Sequence, residues 1–196
     1  MNKLSTKKLT YTGLFIALVF IFSAFFQIPL KTPMGDTRFH LGNAFCLLGG
    51  IILGPGLGGL AAGVGSAIFD LTNPLYFASA PFTFINKFMM GFVAGLIFHK
   101  TKMKNEKAKA ALAGFFGQIT YIILYLLYTF IKNKVAIGLS FEANMVEVVQ
   151  KLGVSSINGV ISVIITAIFA MALLKRVKMD WRKEQGTSDC PLFPSP

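Results

Sequence analysis

Five runs along this chain stay apolar for longer than a water-exposed helix can sustain: residues 10–30, 41–70, 81–98, 110–131 and 154–174. The second, LGNAFCLLGGIILGPGLGGLAAGVGSAIFD, carries no charge before Asp70 and offers water no polar face, so it is expected to be membrane-embedded. As one straight helix its thirty residues would extend ~45 Å, beyond the ~30 Å apolar thickness of a bilayer. Gly54-Pro55-Gly56 stands at its centre as a helix breaker. Two short passes joined by a tight turn are expected there. Each of the other four runs is close to the ~20 residues of a spanning helix.

Charge separates one pass from two. The basic residues outside the apolar runs fall in blocks: Lys3, Lys7 and Lys8; Lys100, Lys102, Lys104, Lys107 and Lys109; Lys175, Arg176, Lys178, Arg182 and Lys183. If residues 41–70 cross twice, all three blocks share one face, which the positive-inside rule makes cytoplasmic. If they cross once, the densest block lands opposite the N-terminus. The pattern therefore predicts an all-α membrane protein of six transmembrane helices with both termini cytoplasmic. Residues 1–178 would form the membrane domain and 179–196 a mobile cytoplasmic tail.

Composition narrows the chemistry. The chain has 196 residues, 54% of them hydrophobic, and its net charge of +11 comes from residues flanking apolar spans, so it is read as topology and not as nucleic-acid binding. The first run is too long for a signal-peptide core and is read as a retained helix. Cys46 and Cys190 fall on the cytoplasmic side or inside a helix, where disulfides are rare. His40 and His99 lie at opposite sides of the membrane, without metal-ligand spacing, and no cofactor is expected.

The polar residues inside the runs form stripes. Lys87, beside Asn86, lies about two turns into helix 4, where an ammonium is costly unless it meets water, a counter-ion or a ligand; a salt bridge to Asp70 is the structural alternative. Gln118, Tyr121, Tyr125 and Tyr128 share a face of helix 5. An interfacial belt accounts for Tyr128, whereas Tyr121 and Tyr125 lie deep enough for a ligand wall. Ser155, Asn158, Ser162 and Thr166 align on helix 6, for interhelical hydrogen bonds or, at Asn158, ligand contact. The external loop 30–40 brings Arg38 and His40, with Asn43 one turn into helix 2 and Tyr76 in the next external turn. It is either a solvated loop or a cover folded over something. Residues 132–153 are expected as a loop with a short amphipathic helix. Glycines at four-residue spacing (50, 54 and 58; 59 and 63; 91 and 95) argue close helix packing. Gly13 and Ala17 on helix 1 serve either such packing or docking to another membrane subunit.

Together these stripes outline a small external-half cavity with amides, hydroxyls, tyrosine rings and one lysine, the general form of a small-molecule site. No HExxH, GxSxG or paired carboxylates stand within it, so binding is expected and catalysis is not. With neither a GxxxxGK[ST] loop nor an intramembrane acid chain, uphill transport would draw on a partner's ATP. A stand-alone carrier or an intramembrane enzyme is the competing reading.

Six helices, Gly13 with Ala17 on helix 1, and HLGNAFCLLGGIILGPGLGGLAAGVGSAIFDL followed by PFTFINKFMMGFVAGLI resemble the substrate-binding S components of energy-coupling factor (ECF) vitamin transporters, of the riboflavin/pyrimidine/pyridoxine type. The resemblance covers residues 10–174. It implies a vitamin binder without ATPase activity, joined to a transmembrane coupling protein and two ATP-binding cassette ATPases. It also implies an outer-half site covered by the loop between helices 1 and 2, coupling-protein contact through small residues on helix 1, where Gly13 stands at a position that is alanine in the family, and toppling in the membrane to release substrate inward. Tyrosine walls with amides suit a flat ring, making hydroxymethylpyrimidine or pyridoxine the first choice. Lys87 and Arg38 meeting a carboxylate would favour pantothenate, and riboflavin follows.

Overall fold

The computed structural model describes residues 6–32 and 35–185, with side chains at 6–29 and 37–176. Its described part is helical apart from one hairpin: α1 (Thr6–Ala24), β1 (Gln27–Thr32), β2 (Gly35–His40), α2 (Gly42–Leu53), α3 (Pro55–Thr72), α4 (Ala80–Lys100), α5 (Glu106–Lys132) and α6 (Phe141–Gln185). Four helical stretches, Thr6–Ala24, Phe77–Lys100, Glu106–Ile137 and Phe141–Arg176, are long and apolar enough to cross a membrane, and α2 is a shorter apolar helix.

The glycine-dense run doubles back where the breaker predicts. Gly54 takes a positive φ of 84°, which a residue without Cβ adopts without strain, and Pro55 starts α3 with its ring at N1 or N2, where no N–H is needed. The glycines then set the approach of three helices. A Cβ on Gly50 would strike the carbonyl of Gly91, and one on Gly58 the backbone of Gly49 and Gly50. One on Gly95 would lie 2.6 Å from the Gly50 carbonyl. So α2, α3 and α4 meet backbone to backbone, the arrangement that dispersion favours where lipid removes the hydrophobic drive.

Helix α2 is the hub. Every one of its residues except Phe45 is buried, and it touches α1, α3, α4, α5 and α6. An apolar circumference is what an encased helix requires. The bundle's periphery is apolar as well: Ile157, Val160, Ile164 and Ile168 recur at helical spacing along an exposed face of α6. In water that face would be a liability; against acyl chains it is the expected surface.

Three expectations are corrected. Helix 1 ends at Ala24, and residues 27–32 and 35–40 form an antiparallel hairpin pairing Gln27 with His40 and Thr32 with Gly35. Pro29 is tolerated there because both strands are edges. Residues 132–153 are mostly helical: α5 runs to Lys132, a π-turn covers Asn133–Ile137, and α6 starts at Phe141. Ser140 caps that start, its Oγ accepting from the Ala143 N–H at 3.4 Å, so α6 begins well before residue 154. At its far end α6 continues to Gln185, into the segment expected as a tail, while residues 186–196, with Cys190, lie outside the described residues.

Substitution at the crossing glycines should separate contact from open positions. Gly58→Ala and Gly95→Ala should each cost about 1–3 kcal/mol through forced backbone separation, whereas Gly56→Ala and Gly153→Ala, whose added methyl meets nothing within 4 Å, should melt in detergent no lower than wild type. Indistinguishable melting of the two pairs would refute the close-approach account.

Candidate functional site

Antiparallel succession brings the C-terminal ends of α1, α3 and α5 and the N-terminal ends of α2, α4 and α6 to the end of the bundle that carries the hairpin. There a cavity of about 360 Å³ opens between β2, α3, α4, α5 and α6, in the size range of small-molecule sites.

One wall is tied by an ion pair. Arg38 on β2 donates from Nη2 to Asp70 Oδ1 on α3 at 3.2 Å, and its guanidinium lies 4.0 Å from the Phe69 ring centroid and 4.3 Å from that of Tyr76. Its Nη1 also reaches Gln27 Oε1 at 3.5 Å across the hairpin. A planar cation satisfied by a carboxylate and two ring faces fastens the hairpin to α3.

A second ion pair ties the opposite wall. Lys151 Nζ meets Glu147 Oε1 at 2.6 Å, one turn apart on α6, and Glu147 Oε2 accepts from Asn133 Nδ2 at 2.7 Å. Asn133 Nδ2 also donates to Asn144 Oδ1 at 3.1 Å, and Asn144 Nδ2 to the Phe130 carbonyl at 3.0 Å. The π-turn is thereby held to the first turns of α6 by a buried polar network.

Lys87 occupies the middle. It is buried, and its Nζ donates to Asn43 Oδ1 on α2 and lies 3.7 Å from the Tyr121 ring centroid. The alternative of a salt bridge to Asp70 does not form: Asp70 is taken by Arg38, and Lys87 has no carboxylate within ion-pair distance among the described residues. Tyr121 and Tyr125 stack with centroids 5.6 Å apart and planes within 8°, presenting parallel rings beside it.

His40 lies on β2 at the same end. Burial, and then the nearby charges of Lys87 and Arg38, hold its imidazole well below the ordinary value of 6.5. Its Nδ1 has no hydrogen-bond partner.

Of the nine residues singled out in the sequence, Arg38, His40, Tyr76, Asn86, Lys87, Tyr121, Tyr125 and Asn158 line this one cavity. Asn43 lies behind it, reaching it through Lys87. Further along the α6 stripe, Thr166 donates to the Ala44 carbonyl at 3.4 Å, so that part of the stripe serves packing. Sequence reasoning missed Thr83, Thr129, Glu147 and Lys151 as lining residues. The Glu147/Lys151 spacing of four is itself a helix signal and could have placed that pair on a helical face. Among the described residues no group of three or more His, Cys, Asp or Glu is disposed to hold a metal. Gly13 and Ala17 lie far from the cavity on the outward face of α1, both exposed, and a Cβ on Gly13 would meet nothing within 4 Å.

Comparison with known proteins adds one match. The family model described as "ECF-type riboflavin transporter, S component" matches residues 3–175. No curated protein sequence matches the chain.

The His40 geometry fixes a pH dependence. Because its folded value lies below its unfolded value, the contribution of the neutral ring is fully present above about 6.5 and is lost as pH falls from there toward the depressed value. Melting in detergent should decline as pH falls below about 6.5, and decline less in His40→Gln. Parallel decline in both proteins would refute the assignment.

Proposed function

The chain belongs to the ECF-type riboflavin transporter S-component family, and from that premise we propose that it captures a small water-soluble vitamin or vitamin precursor with a flat ring from outside the cell. It is a membrane-embedded, multi-pass, substrate-binding subunit of an ECF transporter. Delivery inward would draw on ATP hydrolysed by two partner ATPases through a transmembrane coupling protein. The observation that carries the reading is the cavity of about 360 Å³ at one end of the bundle, walled by the stacked Tyr121 and Tyr125 and crossed by Lys87, with Asn86 and Asn158 supplying amides. Stacked phenol rings offer a flat partner a large contact at little cost in side-chain freedom.

Orientation follows from charge. Lys7, Lys8, the cluster from Lys100 to Lys109, Lys175 and Arg176 all belong to the end of the bundle away from the cavity, which the positive-inside rule makes cytoplasmic. The cavity then faces outward, all six helices are counted as crossing, both termini lie inside, and the membrane is the plasma membrane of a prokaryote. Residues 1–178 make up the binding domain and 179–196 a cytoplasmic extension. The exposed, small-residue surface at Gly13 and Ala17 supports docking to the coupling protein in preference to packing within the chain.

Two experiments test this reading. Wild-type protein should bring down ATPase subunits on purification, and Gly13→Leu with Ala17→Leu should abolish that assembly while leaving bound vitamin in place; assembly at wild-type levels would refute the docking surface. In a Cys190→Ser background, Lys104→Cys should resist a membrane-impermeant thiol reagent in intact cells. Labelling from outside would invert the topology and remove the outward-facing site.

A further inference from the structure

We propose that the molecule seated in this cavity carries a carboxylate, bound at Lys87. The inference rests on the capture reading above and narrows the substrate class of the same site. It starts from a charge balance. Two of the cations lining the cavity are paired within the fold, half-buried Arg38 with Asp70 at 3.2 Å and buried Lys151 with Glu147 at 2.6 Å. Lys132, at the end of α5, also lines the cavity and is half-buried. Lys87 is the enclosed one without an ion pair: 3% exposed, lining the cavity, with an amide oxygen and a ring face as partners and no carboxylate within ion-pair distance among the described residues.

An ammonium has three donors, and Asn43 Oδ1 takes one. The Tyr121 face attracts the charge without accepting a directed hydrogen bond of ordinary strength. Its partner Asn43 is itself incompletely satisfied, its Nδ2 buried without a hydrogen bond. A buried cation with free donors at a cavity wall is incomplete as it stands, and an oxyanion completes it by accepting from Nζ.

The enclosed Lys87 ammonium calls for a countercharge, and a carboxylate supplies it. With Tyr121 and Tyr125 beside Lys87, the complementary ligand is a ring acid. Neutral ring vitamins such as pyridoxine and riboflavin fill the slot and leave the charge unanswered.

The test compares matched pairs on the full-length protein in detergent. Binding of aromatic acids and their primary amides, pyridine-3-carboxylate with pyridine-3-carboxamide and 4-aminobenzoate with 4-aminobenzamide, is measured by calorimetry, together with mass spectrometry of the small molecules released on denaturation. At least one acid should bind at least about tenfold more tightly than its amide. That preference should vanish in Lys87→Met and persist in Lys87→Arg, and any released compound should be an anion depleted from Lys87→Met. If Lys87→Met does not fold, the acid-to-amide ratio in wild type decides alone. No acid preferred over its amide, or a preference that survives in Lys87→Met, overturns the proposal. A neutral vitamin bound equally by wild type and Lys87→Met overturns it while leaving vitamin capture intact; loss of all ATPase co-purification would instead strike the transporter reading.

Discussion

Backbone-to-backbone contact among α2, α3 and α4 is the constraint on which the rest of the molecule depends. At Gly50, Gly58 and Gly95 there is no room for a methyl group, so the three helices sit closer than side chains would permit. Lipid tails solvate leucine as well as a protein interior does, and association must come from dispersion over such close surfaces. The reversal at Gly54 makes the contact intramolecular and short-range in sequence. Once α2 is clasped between α3 and α4, the faces of α1, α5 and α6 have a fixed post to pack on, through Phe15, Leu47 and Ala44 among others.

The polar end of the bundle is organised by a different rule. Charges buried near a membrane are tolerated when they are matched. Arg38 with Asp70 joins the hairpin to α3, and Lys151 with Glu147 and Asn133 joins α6 to the π-turn after α5. Each pair crosses or braces a connection between elements. Specificity of assembly and polarity of the cavity therefore come from the same side chains.

Periodicity made much of this legible beforehand. The doubled-back run followed from the absence of charge in residues 41–69 and the breaker at Gly54-Pro55-Gly56. Asn86, Lys87, Tyr121, Tyr125 and Asn158 line one cavity because stripes on helices are geometric statements once helix directions alternate. The hairpin was invisible because residues 25–30 continue the apolar composition of α1, and the pairing that makes them a strand lies with residues 35–40. The early start of α6 was missed for a related reason: Glu142, Asn144, Glu147 and Lys151 look like loop polarity until Asn133 is brought against them. The partner of Asp70 was also beyond reach, since two lysine- or arginine-bearing elements competed for it and only the tertiary arrangement decides in favour of Arg38.

The brevity of α2 has a consequence for how the molecule meets bilayers of differing thickness. Its twelve residues rise only ~18 Å, a length that would force thinning or tilt on any helix bathed in acyl chains. Sheathed by its neighbours, α2 escapes hydrophobic mismatch altogether, and the outer helices alone answer to the lipid. In the axial distance beyond its N-terminal end lie the cavity and the hairpin whose β2 strand lines it.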